Sequence, residues 1–144
     1  MKIVLKNIFI YLFGFFVLMQ LIQVDITNTP TNPKEEIKAP KEVMVIFKRA
    51  CYDCHSNTVK LPWYSKVAPV SWTISRHVDI GRQWLNFSIW NTYTPQEQDT
   101  KLQEIYKAIY KAMPVESYVS QHPEAILSKE DRELIRTWTG KAPF

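Results

Sequence analysis

The most apolar part of the chain is its start. Residues Asn7 to Val24, NIFIYLFGFFVLMQLIQV, carry no charge. An α-helix rises about 1.5 Å per residue, so the run reaches roughly 27 Å, against a bilayer hydrocarbon core of about 30 Å. Ile3, Val4 and Leu5 extend it if Lys6 snorkels to the headgroups. The run exceeds the h-region of a cleaved signal peptide, typically about 7–15 residues, and no small-x-small site follows it. Residues 1–24 therefore predict one uncleaved transmembrane helix. Lys2 and Lys6 precede the span and Asp25 is the first charge after it. The positive-inside rule then predicts a cytoplasmic N-terminus and a C-terminal domain in the bacterial periplasm, outside the inner membrane.

Residues 25–39, DITNTPTNPKEEIKA, show no apolar period and contain Pro30 and Pro33. They predict a flexible linker reaching about 20–25 Å on average. From residue 40 the period becomes helical. Val43, Ile46, Phe47 and Ala50 fall at i, i+3, i+4, i+7 behind Pro40. Thr94-Pro95-Gln96-Glu97 forms a capping box with proline at the first helical position. The stripe behind it is Leu102, Ile105, Tyr106, Ile109, Tyr110 and Met113, and Pro114 stops it. Ser128 starts another helix, with Glu130 and Asp131 in its first turn. Its apolar face is Leu134, Ile135 and Trp138, and Gly140 is its C-cap. Val70 to Ile80 predicts a short helix. No stretch alternates with a period of two, so residues 40–144 read as one all-α domain.

Composition narrows the chemistry. The 144 residues are 46% hydrophobic and 22% charged, a globular balance, with nine prolines and three glycines. No phosphate-binding glycine loop and no dinucleotide fingerprint occurs. The net charge is +4, but Lys2 and Lys6 sit ahead of the span and the charges beyond it nearly cancel. No nucleic-acid footprint results. Both cysteines of the chain lie in Cys51-Tyr52-Asp53-Cys54-His55. This C-x-x-C-H string is the attachment pattern of a c-type haem. Two thiols on one turn can each bond a haem vinyl group, and the following His supplies the proximal iron ligand. A thioredoxin-like redox pair would follow a strand, a structural zinc site would need four ligands, and a disulfide here closes too small a loop to stabilise much. The expected cofactor is one covalent haem c per chain, held by Cys51, Cys54 and His55.

Further residues repeat a family pattern: Ser56-Asn57, Leu61-Pro62-Trp63-Tyr64, Ala68-Pro69-Val70-Ser71-Trp72, His77-Val78, Gly81-Arg82 and Asn86-Phe87-Ser88-Ile89-Trp90. Met113-Pro114, Tyr118, His122-Pro123 and Trp138 complete it. From about Pro40 to Gly140 the chain resembles the bacterial haem-binding domain family, a cytochrome c-like group with one C-x-x-C-H. The resemblance implies a small cytochrome c-like helical domain carrying a single haem.

The sixth iron ligand separates the possible functions. Met113, His77, His122 and Met44 are the candidates. Met113 ends the apolar stripe before a helix-stopping proline, and the Met-Pro pair resembles the distal-ligand segment of many c-type cytochromes. It is the first choice, although a methionine on such a stripe also serves as plain core. Met44 lies on the helix that carries the attachment site. The Pro62 carbonyl is a possible partner for the proximal imidazole. Trp63, Tyr64, Trp72, Trp84 and Trp90 suit either a haem wall or ordinary core. Arg76 and Arg82 suit either propionate pairing or a solvated surface. A closed iron makes an electron carrier with redox-protein partners; an open or displaceable sixth site makes a haem-based sensor. No convergent acids and bases point to an enzyme.

Overall fold

The computed structural model describes residues 1–142; Pro143 and Phe144, the expected end of the domain, lie outside the described residues. Among the described residues the chain is all-helical, with no strand. Seven α-helices run in order: α1 (Lys2–Met19), α2 (Lys41–Ala50), α3 (Tyr52–His55), α4 (Val70–Trp84), α5 (Pro95–Lys111), α6 (Glu116–Val119) and α7 (Lys129–Thr139). Short 3-10 segments cover Trp63–Lys66, Phe87–Thr92, which is kinked at Ile89, and Pro123–Ala125.

Helix α1 is long and apolar enough to cross a membrane, and none of it is buried. It stops at Met19, before the end of the charge-free run. The next three residues continue as i→i−3 turns, with Gln20, Leu21 and Ile22 N–H donating to Val17, Leu18 and Met19.

Local chemistry places the other long helices where the pattern puts them. Thr94 caps α5 and Ser128 caps α7, each with its hydroxyl accepting from the N3 amide while the N3 carboxylate returns to the cap. Gly140 closes α7 at φ 63°, the left-handed cap that favours glycine. Helices α2, α5 and α7 pack around Phe47, which is fully buried. Phe47 stacks on Phe87 at 4.8 Å, Phe87 on Tyr52 at 5.3 Å, and Trp138 meets Phe47 edge-on. Arg49 of α2 donates to the Asp131 carboxylate of α7 at 2.7 Å, tying the two helices together.

Residues 25–39 differ from the expected free tether. Ile37 is 2% exposed in the core, and its N–H donates to the Phe87 carbonyl. Asn91 N–H donates to Glu35 O, and the Asn91 side chain donates to Lys34 O. Asn28 exchanges two hydrogen bonds with the Val59 backbone. One apolar residue in a polar stretch has no period to reveal it, and backbone hydrogen bonds to a distant segment leave no sequence pattern.

Candidate functional site

The Cys51–His55 segment is a helix terminus that immediately restarts. Helix α2 ends at Ala50, and its cap Cys51, with φ −128°, breaks the helical run. The Cys51 carbonyl then accepts from both Cys54 and His55 N–H, winding the five residues into one tight turn. The two residues between the cysteines fasten this turn from opposite sides. The Tyr52 ring enters the core stack, and its hydroxyl donates to Glu36 Oε1 at 2.9 Å. Asp53 accepts from the Tyr118 hydroxyl at 2.8 Å and from the Lys60 N–H.

His55 is oriented by the end of α4. Its Nδ1 lies 3.0 Å from both the Gly81 and Leu85 carbonyl oxygens. Both neighbours are acceptors only, so Nδ1 carries the proton and Nε2 keeps its lone pair. Burial lowers the imidazole pKa, opposed by these two carbonyls, and so favours the neutral ring. The Pro62 carbonyl therefore does not serve as its partner. Gly81 makes the approach possible: a Cβ there would lie 2.6 Å from the Cys54 carbonyl oxygen.

Cys51 and Cys54 are free thiols. Burial pushes Cys51 up to about 12, with Cys54 adding and Arg49 opposing. Burial also raises Cys54 to about 11, with Asp53 adding and Arg82 opposing.

Cys51, Cys54, His55 and Met113 line one cavity of about 160 Å³, together with Trp84 and Tyr118. A second cavity of about 170 Å³ adjoins it, sharing Cys54, His77, Val115 and Tyr118. Met113 reaches this wall from the turn after α5 rather than from the helix itself. Ala112 has left helical geometry at φ −137°, and Met113 N–H donates to the Ala108 carbonyl. His77 is exposed on α4 and lines both cavities. His122 has both ring nitrogens engaged, Nε2 with the Tyr64 hydroxyl at 3.1 Å and Nδ1 with Glu124 at 3.0 Å. Met44 packs against the core.

The aromatic cluster divides. Trp84 and Tyr64 line the cavities, Trp90 is core, and Trp63 is 80% exposed. Arg82 serves the fold: its Nε donates to Ser56 O and an NH donates to Thr27 O. Arg76 lies exposed on α4. Tyr52, Asp53, Gly81 and Tyr118 are the site residues that sequence reasoning passed over as ligand supports. Their places in the quoted family pattern and inside C-x-x-C-H were the available signals.

A thiol pair, a neutral imidazole with its free nitrogen and a thioether, all on one largely apolar cavity, are a donor set suited to a haem. The Gly81 approach and the doubly held Nδ1 fit that group as well. An all-helical fold with this site defines a small helical haem protein. The family model described as haem-binding domain matches residues 14–141, and the chain belongs to the haem-binding domain family. No curated protein and no solved structure matches the chain.

Proposed function

We propose that this haem protein is a membrane-anchored c-type cytochrome that carries electrons on the periplasmic side of the bacterial inner membrane. The observation that carries the reading is the single cavity shared by the Cys51 and Cys54 thiols, the His55 imidazole and the Met113 thioether. Cys51 and Cys54 would hold one haem by thioether bonds, His55 Nε2 would be the proximal iron ligand and Met113 the distal one. The bound group supplies one-electron chemistry at its iron. The chain's own residues do the rest. Gly81 and Leu85 carbonyls fix the imidazole plane and raise its basicity. The Tyr118–Asp53 bond fastens the attachment turn to α6. Trp84 adds an aromatic wall to the cavity. Helix α1 supports the anchor, and Lys2 and Lys6 ahead of it support a periplasmic domain.

Carbon monoxide added to the reduced holoprotein tests the electron-carrier part. An iron closed by Met113 leaves the spectrum unchanged, and Met113→Ala opens it. Ready binding by the unaltered protein would replace the carrier with a sensor.

A further inference from the structure

The end of α1 is fastened to the haem domain rather than free of it. Gln20 Nε2 donates to the Ala68 carbonyl at 3.1 Å, and Ala68 N–H donates back to Gln20 Oε1 at 2.9 Å. Trp72 Nε1 donates to the Ile22 carbonyl at 2.9 Å. A 3-10 turn rises about 2 Å per residue, so Ile22 lies about 6 Å beyond Met19. The headgroup layer on each side of a hydrocarbon core is about 5–8 Å thick. If α1 spans the core, the Ala68–Trp72 segment sits at headgroup depth.

The surface around that junction suits such a place. Leu21 and Ile22 are exposed, and Val70 follows Ala68 by two residues with its side chain exposed. Trp63, in the 3-10 turn that leads into Ala68, is 80% exposed, and Lys66 of the same turn is exposed too. Trp84 is comparably open but lines the haem cavity, so the cofactor accounts for it. Trp63 lines neither of the two haem cavities. Tryptophan favours the membrane–water interface, where its ring is apolar and its N–H wet, and lysine there meets anionic headgroups.

We infer that the haem domain docks on the bilayer surface through the Trp63–Trp72 segment, held there by the Gln20–Ala68 and Trp72–Ile22 hydrogen bonds. The occupant of this face is the phospholipid headgroup layer of the membrane that α1 crosses. The inference rests on the reading of α1 as a span. It makes residues 20–39 a strap that fixes the domain's orientation, and with it the direction in which the haem cavity opens to partners.

Photoactivatable phospholipid with a diazirine at glycerol depth, incorporated with the full-length holoprotein in nanodiscs of phosphatidylethanolamine and phosphatidylglycerol, tests this by mass spectrometry. Docking gives adducts on α1 and also on Trp63 or Val70. The double variant Gln20→Ala, Trp72→Phe keeps the haem spectrum and the α1 adducts but loses those in the domain. Adducts on α1 alone in the unaltered protein overturn the docking and leave the span standing. Domain adducts that persist undiminished in the double variant overturn the role of the strap. Failure to label α1 overturns the span itself, and the docking with it.

Discussion

Gly81 is the residue on which the proximal geometry turns. Any side chain there meets the Cys54 backbone, which cannot swing aside as a flexible side chain can. Gly81→Ala should push α4 from the attachment turn and lengthen both His55 Nδ1 hydrogen bonds. A loss of about 1–3 kcal/mol is expected from overpacking of this kind, read as a lower unfolding midpoint of the holoprotein. An unchanged midpoint and spectrum would contradict the close approach. On the electron-carrier reading proposed above, Met113 is the residue that decides function. A thioether favours ferrous iron, so Met113→Ala should lower the reduction potential as well as admit carbon monoxide. Met113→His should keep the iron closed and still lower the potential. If His77→Ala or His122→Ala alone opens the iron, Met113 is not the ligand. Tyr118→Phe removes the bond to Asp53 and should cost about 0.5–1.5 kcal/mol in chemical unfolding. That Cys51, Cys54, His55 and Met113 belong to one neighbourhood was legible, because the thiols, imidazole and thioether stand out by residue type, and the structure brings them to one cavity. The carbonyls of Gly81 and Leu85 were not, since every residue carries a carbonyl and only the fold decides which two face His55.

The helices follow rules that a sequence displays openly. The Thr94 capping box, the start of α7 at Ser128, the face of α2 and the glycine cap of α7 are local patterns, and each stands where it was expected; the second capping box, at Ser128, is the structure's addition. Helices α3 and α6, four residues each, are too short to show a period. The stripe of α5 runs to Met113 in sequence, but the helix ends at Lys111, because Pro114 has no N–H and restricts the residue before it. Ile37 is a single buried side chain in a polar segment, so the strap read as a tether. At this scale Ser128→Ala should destabilise the domain by about 1 kcal/mol through loss of the α7 cap. The link between α2 and α7 should depend on pH. Burial raises the Asp131 pKa, but the Ser128 backbone and the Arg49 guanidinium outweigh it and hold the carboxyl below its ordinary value. A depressed carboxyl pKa stabilises the fold above the unfolded value, near 3.9, and that contribution fades as pH falls through the folded one. Asp131→Asn should thus lower the melting temperature at pH 7 and differ less from the unaltered protein as the pH drops below about 4. A gap that widens on acidification would contradict the pairing.

Across the whole molecule, one apolar helix, a bound strap and a helical core serve one cavity. The core around Phe47 reaches the attachment turn directly through Phe87 and Tyr52, so cofactor and core should stabilise each other by the linkage that couples ligand binding to folding. The chain lacking both thiols should accumulate poorly for that reason. On the reading of α1 as an anchor, the protein should stay in inner-membrane pellets through carbonate washing; release into the supernatant would contradict the anchor. The central claim is a haem joined covalently to this cavity, and the intact mass of the purified protein under denaturing conditions tests it most directly. The account predicts the mass of the chain plus one haem, lost when Cys51 and Cys54 are both replaced by alanine. The bare chain's mass, with haem leaving into acidified acetone, would contradict it.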